Sequence, residues 1–284
     1  MSVLEAIALG IVQGLTEFLP ISSTAHLRIV PALLGWRDPG AAFTAVIQIG
    51  TLVAVLYYFH SDLARIAIAT VRNTLRGKPF ESFDSRMGYM MAIGTMPIVV
   101  MGLALKSHIE TSFRSLYVIA AALIGLAIVL MLAEFLVGAR LAKGEKMKEL
   151  EDLSWREAVV VGLAQCLALV PGASRSGVTI AGGLFLGMTR ETAARFSFLL
   201  SLPSIFAAGM FQLFKARSEL FATSQNALAL LVATVAAGVV GYYSIAFLLN
   251  YLKKNSTYLF IAYRVALGLL LLTLVFNGAL DPMK

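Results

Sequence analysis

Long apolar stretches separated by short polar segments dominate the chain. Those at 41–59, 88–105, 116–137, 193–214, 227–249 and 257–276 are each long enough for a helix to cross a bilayer, which takes ~20 residues. Six crossings are predicted. The stretches 3–19, 25–34, 155–170 and 178–186 are shorter, and each pair flanks a polar interruption, EFLPISSTAH at 17–26 and VPGASRSGVT at 170–179. They read as the half-helices of two re-entrant hairpins. Non-helical backbone at membrane depth survives only where protein or a wet cavity surrounds it, so the hairpins should pack inside the bundle.

Composition agrees with a membrane solvent. With 59% hydrophobic and 14% charged residues over 284 positions, the chain has too little polar surface for a soluble domain of its size. The expected fold is an all-α polytopic membrane protein. The N-terminus lacks a basic region, carries Glu5 and offers no small-residue cleavage site before Gln13, so it is expected to remain in the mature protein. A lone cysteine, Cys166, leaves no internal disulfide and reads as packing. Three histidines and one cysteine do not make a Cys/His metal cluster. The net charge of +7 is concentrated in loops rather than on one face, which argues against nucleic-acid binding.

The chain also resembles itself. At an offset of 152, Gly10, Gln13, Leu15, Ser22 and Ala42 fall on Gly162, Gln165, Leu167, Ser174 and Ala194, with Thr24 opposite Ser176. Further on the offset becomes 141, pairing Ser115, Tyr117, Ala121, Leu126 and Leu130 with Ser256, Tyr258, Ala262, Leu267 and Leu271. The shared order and breakpoint indicate a duplication: a first repeat at 1–138, a cytoplasmic linker at 139–154, and a second repeat at 155–284. Each half holds one hairpin and three crossings, and an odd number inverts the second half. The loops 61–86, 139–156, 188–191 and 251–256 carry thirteen Lys and Arg, against six on the other side outside the hairpins. The positive-inside rule then places both termini outside. In this inverted-topology repeat the hairpins enter from opposite faces and their tips meet near the midplane, as in many transporters.

The tips carry costly chemistry, since one charged side chain at mid-depth costs ~2.5–3.5 kcal/mol on insertion scales. Pro20 and Pro171 end their helices, and Ser22-Ser23-Thr24 and Ser174-Arg175-Ser176-Gly177 supply N-cap chemistry to the next ones. Two helix N-termini facing one cavity favour an anion, and the planar fork of Arg175 suits phosphate oxygens. The loop is not a Walker A motif, because the Gly-Lys-Ser/Thr ending is missing. Gln13 and Glu17 lie four apart on one helical face. Glu17 is a candidate base or a ligand for Mg2+ or Ca2+ shared with substrate phosphate; the competing reading is a buried carboxylate paired with Arg175. Ser23 and His26, three apart, are both candidates to attack phosphorus.

Q-G-L-T-E-F-L-P-I-S-S-T-A-H at 13–26, followed half a chain later by P-G-A-S-R-S-G-V-T at 171–179, resembles the bacterial undecaprenyl pyrophosphate phosphatase family, the BacA-type enzymes. The resemblance spans the whole chain. It implies a hydrolase of the bacterial inner membrane that converts undecaprenyl diphosphate to undecaprenyl phosphate and inorganic phosphate. That reaction recycles the carrier for peptidoglycan synthesis, with divalent-metal dependence and bacitracin resistance. Carried over by position, Glu17, Ser23, His26 and Arg175 match the family's functional residues, and Ser22, Ser174, Ser176 and Thr179 its motif hydroxyls, with Thr24 beside them. The departure is Gln13, where many members have a second glutamate; Glu17 must then carry the carboxylate role alone. The expected mechanism is in-line attack by Ser23 assisted by His26, with Arg175 on the phosphate and metal on Glu17. The family suggests a site opening to the outer face.

The rival reading is a lipid-phosphate transporter, or flippase, using the same anion site. It is disfavoured because a Glu/Ser/His cluster beside an arginine exceeds what anion binding needs. An ion channel would need a ring of like charges or a filter-like sequence, and neither is evident. Elsewhere, Gln48 and Arg264 are expected to make interhelical hydrogen bonds, with lining the cavity or supporting the hairpins as the lesser reading. His60, His108 and Glu134 are expected at the interface, with the Tyr57-Tyr58-Phe59 and Tyr242-Tyr243 clusters. The run 143–152 is expected to be a solvated linker, and a homo-oligomer stays open.

Overall fold

The architecture is that of a computed structural model, which describes residues 1–283; Lys284, one of the six basic residues assigned to the outer side, lies outside them. In chain order the helices are α1 (Val3–Phe18), α2 (Ser23–Leu34), α3 (Gly40–Tyr58), α4 (His60–Leu75), α5 (Phe83–Ala104), α6 (Lys106–Glu110) and α7 (Leu116–Ala142). They continue as α8 (Trp155–Gln165), α9 (Arg175–Phe185), α10 (Arg190–Lys215), α11 (Arg217–Leu220), α12 (Ser224–Leu252) and α13 (Tyr258–Phe276). Six of them, α3, α5, α7, α10, α12 and α13, are long and apolar enough to cross a membrane. These coincide with the six predicted crossings, and the protein is an all-α polytopic membrane protein.

The two shorter helix pairs form for local reasons. A capping box opens α1, where the Ser2 hydroxyl accepts the Glu5 N–H at 3.2 Å and the Glu5 carboxylate accepts the Ser2 N–H at 2.7 Å. Ser154 and Glu157 make the equivalent box at the start of α8. Pro20 then holds Leu19 in extended backbone, which stops α1. The second pair differs slightly from expectation: α8 tightens into a 3-10 turn at Cys166–Leu169 before Pro171. The helices after the breaks start earlier than their apolar runs, at Ser23 and Arg175, because Ser22 and Ser174 are the caps.

Small residues set the crossings. The first pair packs through α1 on α12, the second through α8 on α5, while α13 lies along α7 and α10 along α3. A Cβ on Gly162 of α8 would stand 2.3 Å from the Gly94 carbonyl oxygen, and one on Gly50 of α3 would stand 2.0 Å from that of Thr234 on α12. Backbones this close gain dispersion contact that larger residues would prevent. Gly50→Val should therefore separate α3 from α12 at a cost of at least the ~1–3 kcal/mol typical of overpacking. Its melting temperature in detergent should fall by several degrees; an unchanged melt contradicts this contact.

One expectation is corrected and two gain detail. The loop 61–86 holds an amphipathic helix, α4, whose packed side faces α5 and whose Ile68, Val71 and Leu75 are exposed; its mixed polarity hid it from a search for apolar runs. Glu134 is enclosed by protein near the end of its span, 2% exposed. It accepts Arg190 Nε at 2.9 Å and Nη2 at 2.6 Å, and the Thr257 N–H at 2.9 Å. The run 143–152 is largely exposed, as a solvated linker should be, but it is tied to the second half. Its Lys148 exchanges backbone hydrogen bonds with Gly187 and Thr189, and its ammonium lies 2.7 Å from Glu157.

Candidate active site

Both breaks carry a serine in a backbone conformation that L-residues rarely adopt. Ser22 has φ 76° and Ser174 φ 68°, the two positive-φ non-glycine residues among those described. Such conformations cost ~1–3 kcal/mol and persist where surroundings over-determine them. The return comes from the hydroxyls. Ser22 Oγ accepts the Ala25 N–H of α2 at 3.4 Å and also the Gly172 N–H of the other break at 3.2 Å. Ser174 Oγ accepts the Gly177 N–H of α9 at 3.1 Å, while Ser176 Oγ donates across to the Leu19 carbonyl at 3.1 Å. The two tips are thus joined in both directions, and Gly172, at φ 97°, lets the second lie against the backbone of α7.

A cavity of about 420 Å³ opens over this junction. Glu17, Ser22, Ser23, Thr24, Ser174 and Arg175 line one end, together with Gln48 and Ser204; the remainder is largely apolar and reaches Lys106, Arg114 and Phe211. Glu17 is the hub. One carboxylate oxygen accepts Arg175 Nη2. The other accepts Ser23 Oγ at 2.5 Å and Gln13 Nε2 at 2.8 Å. Arg175 spreads its fork further, to Gln48 Oε1 at 3.2 Å and Ser204 Oγ at 3.4 Å. Glu17 is accordingly paired with Arg175, as the competing reading had it, and also accepts the hydrogen bond of Ser23.

His26 sits differently. Its Nδ1 lies 2.7 Å from the Ser22 carbonyl, which can only accept, so Nδ1 carries the proton. Nε2 then accepts from the Tyr263 hydroxyl at 2.6 Å. With both nitrogens occupied, His26 braces the Ser22 carbonyl and does not reach Ser23. The expected Ser23–His26 pair gives way to Ser23–Glu17, because the N-terminal turn of α2 points the imidazole back toward its own cap. Gln13, His26, Ser176 and Thr179 do not form the cavity wall. Thr179 bonds the Arg175 carbonyl at 2.7 Å and Ser197 at 2.6 Å, which steadies the first turn of α9.

Tyr263 and Ser204 were not anticipated, since hydroxyls are ordinary in apolar helices and only the fold brings these two to the tips. Gln48 was marked by being an amide inside a span.

Metal fit can be judged from the donors. The described residues hold no cluster of three His, Cys, Asp or Glu. Gln13 Oε1, however, is buried without a hydrogen-bond partner, one residue-turn from Glu17. Its orientation follows from Nε2 donating to the carboxylate. A carboxylate with a nearby amide oxygen suits a hard cation that draws its other ligands from phosphate and water.

At the far end of the cavity, Arg114 Nη2 donates to both Asp38 oxygens at 2.7 Å, and Arg28 Nε lies 3.5 Å from Asp38. Burial alone would raise the Asp38 pKa, but the Arg114 hydrogen bonds and charge, the Gly40 N–H and Arg28 outweigh it and hold the carboxyl below the usual range. A folded-state pKa below the unfolded one adds stability above the unfolded pKa, and that stability is lost as pH falls through the folded value. Asp38→Asn should lower the melting temperature at neutral pH and flatten its decline toward acid. A parental slope in the variant would contradict the assignment.

Residues 6–270 match the family described as bacitracin resistance protein BacA. A protein of Chloroherpeton thalassium named undecaprenyl-diphosphatase is 64% identical over 281 residues, covering 99% of each chain. Proteins of the same name from Chlorobium phaeobacteroides strain BS1 and Chlorobaculum tepidum are 62% and 58% identical, covering 99% of this chain and 100% of theirs. With this coverage, and with both tip motifs folded into one polar junction, the chain belongs to the BacA family.

Proposed function

We propose that the protein is an integral membrane phosphatase that hydrolyses undecaprenyl diphosphate to undecaprenyl phosphate and inorganic phosphate, the activity named for its relatives, and that it confers the bacitracin resistance named for its family. The observation that carries this reading is the Ser23 hydroxyl 2.5 Å from a carboxylate that Arg175 also grips, at two helix N-termini and at the end of an apolar cavity. A diphosphate head at the junction meets Arg175 and the positive N-terminal ends of α2 and α9 while its prenyl tail follows the apolar wall.

The chemistry follows from that geometry. Terminal phosphate competes with Glu17 for the Arg175 guanidinium, and Glu17 turns toward Ser23. Ser23 Oγ attacks the terminal phosphorus in line and passes its proton to Glu17; the P–O bond to the lipid phosphate breaks, and lipid monophosphate leaves with the bonding pair. Water then attacks the phosphoserine as the Ser23–phosphorus bond breaks; Glu17 returns its proton to Ser23 Oγ, and both water protons leave with inorganic phosphate. Arg175 and the helix N-termini stabilise charge on the equatorial oxygens throughout. A divalent cation, Mg2+ or Ca2+, held by Glu17 would add charge neutralisation at the diphosphate. Ser22, Thr24, Ser174 and Ser176 shape the cradle, and His26 keeps Ser22 in place.

The finer architecture belongs to the same reading. The first helix pair is a re-entrant hairpin on α12 and the second one on α5, each seated on a span of the other half, as two inverted repeats at 1–138 and 155–284 would be. The symmetry of those contacts and the matched serines Ser22 and Ser174 support it. Both termini face outward across the bacterial inner membrane, and the cavity opens outward. Purified protein in detergent should release phosphate from undecaprenyl diphosphate. No release there, together with lipid-phosphate movement in proteoliposomes, would favour the transporter.

A further inference from the structure

Arg264 on α13 is the largest side chain that is fully buried, at 1% exposure. Its guanidinium donates to five backbone carbonyls. Nε reaches Leu123 at 3.1 Å and Nη1 reaches Pro20 at 3.1 Å. Nη2 reaches Gly172 at 2.9 Å, and Ala122 and Ala173 at 3.2 Å. These acceptors lie on three segments: α7, the first break and the second break.

The two breaks expose carbonyls that no helix satisfies, and buried carbonyls without donors are costly. One planar cation answers them together. Pro20 lies three residues before Ser23, and Ala173 two before Arg175. A single side chain therefore sets the distance between the attacking hydroxyl and the phosphate-gripping fork. We propose that Arg264 is a positioning residue for the hydrolysis, holding both tips in register against α7 without touching substrate. Lysine cannot substitute, because three donors radiating from one nitrogen do not span carbonyls spread around a guanidinium plane. Tyr263, the preceding residue, meets His26 from the same helix, so α13 braces the first tip at two points. A displacement of ~1 Å between reacting groups costs about 100-fold in rate.

The inference rests on the phosphatase reading, and the test separates the two. Wild type, Arg264→Lys and Arg264→Gln are purified in detergent, and kcat and KM for undecaprenyl diphosphate are measured per folded molecule alongside thermal melts. Arg264→Lys should lower kcat about 100-fold with KM within about threefold. Parental kcat in either folded variant, or a change confined to KM, overturns the positioning role. No release by wild type sinks the phosphatase reading instead. If neither variant folds, 15N-arginine NMR of the wild type decides. A rotationally restrained guanidinium other than Arg175, which Arg175→Lys identifies, should shift on adding inorganic vanadate; none that shifts overturns the proposal.

Discussion

Arg175→Ala should reduce kcat/KM for undecaprenyl diphosphate by about 10³–10⁵-fold, the range by which arginines that stabilise phosphoryl-transfer charge accelerate reactions. The variant loses the guanidinium that grips Glu17, Gln48 and Ser204, and with it the donor fork for the equatorial oxygens. It also leaves Glu17 buried without its cation, and removing one partner of a buried pair destabilises by ~3–5 kcal/mol. The melting temperature should fall with the activity. Arg175→Lys separates the effects: a point charge can still neutralise Glu17 but cannot reach Gln48 and Ser204 in one plane. Its stability should recover largely while turnover stays at least about 100-fold low. Near-normal turnover in Arg175→Ala would remove the arginine from the mechanism.

Ser23→Ala and Glu17→Gln test the attacking pair. Loss of a covalent nucleophile should cost about 10⁴-fold or more in kcat, and loss of its base about 10²–10⁴-fold. Groups that act as a unit are not additive, so the double variant should be no slower than Ser23→Ala alone. Rapid-quench trapping should place phosphate on Ser23 in the wild type and nowhere in Ser23→Ala. His26→Ala should retain more activity than either, because the imidazole meets the Ser22 carbonyl and Tyr263 rather than Ser23. If His26→Ala matches Ser23→Ala, the assignment of the base to Glu17 fails.

Much of this site was legible before any coordinates. Pro20 and Pro171 break helices by covalent geometry alone, and the serines that follow are caps by short-range hydrogen bonding. Charge inside hydrocarbon is costly enough that Glu17 and Arg175 had to find partners. Helix α4 escaped because an amphipathic helix has no long apolar run. The ion pair of Glu134 was not legible because its partners, Arg190 and the Thr257 N–H, are 56 and 123 residues away.

The residue pairings followed the same division. Spacing along a helix placed His26 near Ser23, and the local turn was right; the direction of the imidazole was decided by the Ser22 carbonyl and by Tyr263, 237 residues on. The sequence by itself determined the spans, the breaks and the chemical groups at each tip, because hydropathy, proline geometry and capping act within a few residues. Tertiary structure alone decided that His26 meets Tyr263, that Arg264 ties both breaks to α7, and that Ser22 caps one helix while receiving the backbone of the other break. Those choices depend on which donors and acceptors meet across 91 residues or more, and no local rule encodes that meeting.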